Sequence, residues 1–143
     1  MGIVGKYHDA GTNVDEKGEA KPASLISLLT NDTVKDARAV SLTMPNDDHL
    51  IVTAFDRTSR SRSFTFKKSD DTFECQAGVA TINWSHMIAD PMAMLAESRK
   101  ISLYIADDNS LIVRKSYAAT GYMFFIPIRD RSVLWSRFNK LRE

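Results

Sequence analysis

The chain reads as α+β but mostly β: an antiparallel meander sheet or a small barrel-like sandwich, with two or three short helices. Three observations predict this. Between Val40 and Ile128 apolar residues recur mainly at every second position. The segments between these runs are short and carry Asp, Asn, Ser and Pro, the residues of tight turns. No alternation of strand with long helix occurs, so a parallel sheet is not called for. The chain length of 143 residues, 43% of them hydrophobic and 26% charged, fits one globular domain. A domain of that size buries roughly two thirds of its unfolded surface and needs no disulfide or metal to hold a core.

The elements follow in order. Residues 1–22 are expected to form a flexible polar arm or tether, with an edge strand around Val14 as the alternative, because beyond Ile3 and Val4 only Tyr7 and Val14 offer sizeable apolar surface among charges and glycines. The globular mostly-β domain then spans residues 23–143. Leu25, Leu28 and Leu29 lie at helical spacing after Pro22, with Asn31 suited to end a short helix. From Arg38 the period becomes two: Val40, Leu42 and Met44 form a strand face, and Pro45-Asn46-Asp47-Asp48 turns it. His49 to Phe55 is apolar on both parities, as in a more central strand, and Asp56 to Arg60 breaks it. Ser61 to Lys67 places Phe64 and Phe66 on one face, and Ser69-Asp70-Asp71 closes that strand.

Phe73, Cys75 and Ala77 share a face, and after Gly78 the parity shifts to Ala80, Ile82 and Trp84, which marks a bulge or a tight turn. Asp90-Pro91 resembles a helix cap followed by a first-turn proline, and Met92, Leu95 and Ala96 predict a second short helix ending near Ser98. Ile101, Leu103 and Ile105 alternate again, and the turn Asp107-Asp108-Asn109-Ser110 leads into a hairpin partner, Leu111 to Tyr117. Met123 to Ile128 reads as a buried strand whose pairing ends at Pro127. With Asp130 as cap, Leu134, Phe138 and Leu141 predict a C-terminal amphipathic helix, although Val133 and Trp135 also suit a short strand.

Little catalytic chemistry is on offer. Cys75 with His8, His49 or His86 is the one conceivable thiol and imidazole combination, and its place beside Phe73 on an apolar face favours an inert buried thiol. The three histidines and one cysteine show no zinc-ligand spacing, and no loop has a calcium-binding pattern. No catalytic residue, metal or cofactor is therefore assigned. With 19 Lys+Arg against 18 Asp+Glu, the net charge of +1 names no polyanionic partner either.

Charge placement says more than charge total. In a meander the turns at Asp47-Asp48 and Asp70-Asp71 come to one end of the sheet, while Arg57, Arg60 and Arg62 gather at the other. Arg60, Arg62, Phe64 and Phe66 share a parity, the pattern by which a basic and aromatic strand holds single-stranded nucleic acid or another anionic ligand. The C-terminal segment carries Arg129, Arg131, Arg137, Lys140 and Arg142 against Asp130 and Glu143, with Trp135 interspersed, so that Arg131, Trp135 and Arg137 form a second candidate docking surface.

The layout of a polar arm, a mostly-β domain and the closing segments Gly121-Tyr122-Met123-Phe124-Phe125-Ile126-Pro127 and Trp135-Ser136-Arg137-Phe138 resembles that of small bacterial cell-envelope lipoproteins. The resemblance implies a tether up to Pro22, a location in the cell envelope or periplasm, membrane attachment only through a lipid anchor, and no catalytic residues. The chain departs from that layout at its start. It shows no signal peptide or lipobox cysteine, no run of about 18 to 20 apolar residues, and Lys6 where N-myristoylation requires Ser or Thr. The expected function is a non-enzymatic interaction module that binds another protein through a sheet edge or its basic terminal segment. The alternatives are nucleic-acid or anionic-ligand binding through Arg57, Arg60, Arg62, Phe64 and Phe66, and an enzyme of unassigned type.

Overall fold

The computed structural model describes residues 3–14, 17–30, 34, 36–46, 48–58, 60–70, 72–76 and 79–141. Its strands are β1 (Gly5–His8), β2 (Ala10–Val14), β3 (Ala20–Ser24), β4 (Ala37–Asn46), β5 (His49–Asp56), β6 (Ser61–Lys67), β7 (Phe73–Gln76), β8 (Val79–Asp90), β9 (Ala93–Ile105), β10 (Leu111–Met123) and β11 (Ile126–Phe138), with α1 (Leu25–Thr30) between β3 and β4. They form two antiparallel sheets, a four-stranded one ordered β1-β4-β5-β6 and a seven-stranded one ordered β3-β2-β11-β10-β9-β8-β7. The molecule is thus mostly β and antiparallel, but its sheets stay open and do not close into a barrel.

The two-residue periodicity explains the layering. In β5 the buried side chains are Leu50, Val52 and Ala54, each followed by a partly exposed residue. Val52 pairs with Leu42 on one side and Phe64 on the other. The second sheet offers Ala80, Ile82, Ile101, Leu103, Leu111, Val113 and Phe138 to the same core, and α1 adds Leu25, Ile26, Leu28 and Leu29. Two sheets that are each apolar on one side must face one another. The meander therefore divides after β6, at a 3-10 turn over Lys68–Asp70. Lys68 N–H there donates to Asp48 O, which sets these two turns at one end, as the charge pattern predicts. Asp47, Asp71, the Gly78 parity shift and the Asn31 helix stop lie outside the described residues.

Two of the expected helices are strands. At Asp90-Pro91 the carboxylate accepts the N–H groups of Met92 and Ala93, which closes a tight turn rather than starting a helix. β9 follows at once and is paired along its length with β8 and β10. The stripe Met92, Leu95, Ala96 satisfies a helical period over three residues only, whereas a strand in the middle of a sheet satisfies every backbone group. The C-terminal helix is likewise replaced by β11, each residue of which pairs with β10. Pro127 does not end that pairing. It sits opposite Tyr122, next to the closing pair Met123 and Ile126, where a strand's N–H points away from its partner. Among the described residues α1 is the one α-helix.

The segment expected as a tether contains β1, β2 and most of β3. Its polar composition is offset by main-chain pairing, β1 on β4 and β2 on β11. A few buried groups fasten it. Tyr7 and Ile3 are fully buried, and the Tyr7 hydroxyl donates to Ile3 O at 2.9 Å. The Asp9 carboxylate accepts Ser24 Oγ and Ile26 N–H, both at 2.9 Å, and so caps α1 from outside the helix.

The candidate docking tip

Strands β8 to β11 run to 12 or 13 residues, longer than the core they cover. No residue from Trp84 to Lys100 belongs to the core cluster. The far halves of these strands form a blade that extends past the opposing sheet. Paired residues share a face, and faces alternate along each strand. Ile88, Leu95, Met123, Ile126 and Ile128 thus lie on the inner side, and Met87, Met94, Tyr122 and Pro127 on the outer side.

Both sides are apolar at the tip. Met87, Ile88, Met92, Met94, Tyr122, Met123, Phe124, Phe125 and Ile126 are all exposed, Phe125 to 90%. Asp90 is the one charged residue in the last three rungs, and its carboxylate is occupied by the turn it closes. The two hairpin ends are joined, Phe124 N–H donating to Met92 O at 2.9 Å. At Gly121 a Cβ would run into the main-chain carbonyl of Met94, so the close approach of β9 and β10 near the tip requires glycine.

The β10–β11 turn itself is unusual. Phe124 has φ 50° and Phe125 φ 67°, the left-handed pair that a two-residue hairpin needs. Asn-Gly is the ordinary occupant of such a turn. A bulky residue held in this region costs about 1–3 kcal/mol, so the fold presents two aromatic rings at its extremity against its own local preference.

Behind the tip the outer face turns basic. Arg129, Arg131, Lys100, Arg114 and Arg137 share it with small residues such as Ser98, Ala118 and Thr120, and no Asp or Glu of these four strands lies on that side. Glu97 and Asp130 fall on the inner face, where the Tyr117 hydroxyl donates to Glu97 Oε1 at 3.2 Å. Burial and these two carboxylates push the Tyr117 hydroxyl up.

The residues singled out from sequence occupy two separate surfaces. Arg57, Arg60 and Arg62 are exposed at one end of the smaller sheet, where Asp56 accepts Arg60 N–H at 3.0 Å. The hydrogen bond from the Thr58 side chain, with others from the turn, holds the Asp56 carboxyl below its ordinary value. Phe64 and Phe66 are half-buried against the core, and the Arg62 guanidinium sits 5.0 Å from the Phe64 ring. Arg131, Trp135 and Arg137 lie on the outer face of the larger sheet. There Trp135 is flanked by Tyr104 and Arg114, and Arg137 is paired with Asp108.

Cys75 is partly exposed and packs against the core, His86 stacks on Trp84 at 5.7 Å, and His49 Nδ1 is 3.0 Å from Asn46 Oδ1. No three His, Cys, Asp or Glu side chains come together among the described residues. Sequence reasoning assigns no docking role to the tip residues Met87, Met92, Met94, Phe124 and Phe125. Phe124 and Phe125 fall in an apolar run with no Gly or Asn at its turn, a pattern of burial, and Met92 falls in the stripe of an expected helix. No family model, curated protein or solved structure matches the chain.

Proposed function

We propose that this chain is a non-enzymatic binding module that docks on an anionic bilayer surface by inserting the tip of its long sheet. One observation carries the reading: the tip is apolar on both faces and around its turns. A patch on one face suits a complementary protein surface, whereas a tip apolar all round suits a medium that surrounds it. Tyr122, Phe124 and Phe125 are the residue types that settle at a membrane interface. Arg129 stands four residues from Phe125, roughly 13 Å along a strand, a distance that brings its guanidinium to the phosphates once the rings reach the acyl boundary. No helix among the described residues is long and apolar enough to cross a membrane, and shallow insertion needs none. The envelope-lipoprotein resemblance implies a lipid anchor as the membrane attachment, and insertion of the segment Gly121–Pro127, which contributes to that resemblance, goes beyond it.

Flotation of the purified chain with vesicles tests this. Vesicles containing phosphatidylglycerol should carry the protein upward, phosphatidylcholine vesicles should carry less, and the variant F124N/F125G should stay behind. Failure of the folded wild-type chain to float with anionic vesicles would overturn the proposal. So would a self-association that the same variant abolishes while vesicle binding is absent, because the tip would then serve to join two copies.

A further inference from the structure

We propose that the cavity between α1 and the inner face of β8–β10 binds an amphipathic anion, an acidic head group on an aliphatic chain. This site lies at the base of the blade, apart from the tip, and does not depend on the membrane reading. The cavity is about 350 Å³, within the range of small-molecule pockets. Leu28, Leu29, Phe66, Ile82 and Ile101 give it apolar walls, and Arg99 and Lys115 give it two cations. A second cavity of about 480 Å³ shares these two cations and is lined further by Lys17, Tyr117, Ser132, Val133 and Leu134. Arg99 and Lys115 thus form a basic bar shared by the two cavities.

The bar is short of anions. Neither the Arg99 nor the Lys115 side chain has an ion pair or hydrogen bond among the described residues, and Arg99 Nε is buried with no acceptor. A buried donor left unpaired is rare and destabilising. Arg99 is hemmed in by rings, Trp84 at 4.8 Å and Tyr117 at 5.9 Å from its guanidinium carbon. These contacts hold the guanidinium in place but offer its N–H groups no oxygen, and a carboxylate would supply two. Lys115 is held below the ordinary lysine value, first by burial and then by the Arg99 charge. Glu97, two residues from Arg99 on the same face of β9, is engaged with the Tyr117 hydroxyl instead. The arrangement presents two cations, an unpaired buried donor and an apolar chamber to one ligand. Such a ligand has a negative head and a hydrocarbon tail.

The test uses fluorescence in a Trp135→Phe background, where Trp84 is the remaining tryptophan, with dodecanoate kept below its micelle concentration. Dodecanoate should change the Trp84 signal saturably at one site, with dodecanol and acetate each at least about tenfold weaker. Lys115→Gln and Arg99→Gln should each weaken dodecanoate about tenfold, Lys115→Arg should retain it, and F124N/F125G should bind as the parent does. Lys115→Gln removes a desolvated ammonium and should melt no lower than its parent, which keeps lost binding distinct from lost folding. The proposal fails if dodecanol binds as well as dodecanoate, if acetate does, if Lys115→Gln changes nothing, or if no saturable binding occurs.

Discussion

Phe124 and Phe125 set local stability against surface chemistry at two adjacent positions. Replacing them by Asn and Gly gives the turn the residues its φ angles favour. The variant F124N/F125G should therefore gain about 1–3 kcal/mol in urea unfolding while losing vesicle binding, opposite effects from one pair of substitutions. Tyr7 is the converse case, a residue whose whole use is internal. Tyr7→Phe should cost about 1 kcal/mol by removing the hydrogen bond to Ile3 O. Burial raises the Tyr7 hydroxyl above its ordinary 10.0. The unfolded chain therefore releases this proton first as pH climbs, and the stability from keeping Tyr7 neutral is full below pH 10 and declines as pH rises through the folded value. The slope of stability against pH in that alkaline range should shrink in Tyr7→Phe. Neither role was visible from residue type alone: Tyr7 lay in a polar stretch that looked too poor in apolar groups to fold.

Among the elements, those with one consistent period were legible. Residues 38–44, 49–55 and 61–67 and the hairpin around Asp107–Ser110 stand where the alternation puts them. Legibility failed where a short stripe satisfied two periods. Met92, Leu95 and Ala96 suit one helical turn, but Leu95, Glu97 and Arg99 also alternate inward, and the ladders on both sides of β9 decide the matter. The same holds for Leu134 and Phe138, which share the inner face of β11 as readily as they would share a helical face. Gly121 lets β9 and β10 approach where no side chain fits, a need that no periodicity signals. Gly121→Val should destabilise the fold by about 1–3 kcal/mol through overpacking, read as a lower urea midpoint. Hydrogen exchange should show the loss concentrated in β9 and β10 near the tip.

Across the whole molecule the sequence showed that cations and acids would segregate but not along which axis. The polarity drawn from turn order set acidic tips against Arg57, Arg60 and Arg62. The length of β8–β11 adds a different axis, apolar at one extremity and basic just behind it. That axis depends on how far four strands outrun the opposing sheet, which no local pattern encodes. If the outer-face cations meet lipid phosphates, each contributes about 1 kcal/mol. Arg129→Gln and Arg131→Gln should then each lower affinity for anionic vesicles roughly fivefold, with little change on neutral vesicles, and added salt should narrow the gap between variants and wild type.

The blade also has two bare flanks. Among the described residues β2 pairs with β11 only at Arg137, Ser136 and Trp135, and β7 pairs with β8 only from Val79 to Ile82, so the outer halves of β8 and β11 have no described strand on their free side. Chains laid side by side could in principle zip these flanks into an endless ribbon, the route by which soluble β proteins turn into fibrils. Pro127 stands on one of them with no proton to lend to an incoming strand, and it interrupts growth at the stickiest part of the molecule. Pro127→Val should leave the isolated chain folded, yet shorten the lag before thioflavin-positive aggregates form on agitation.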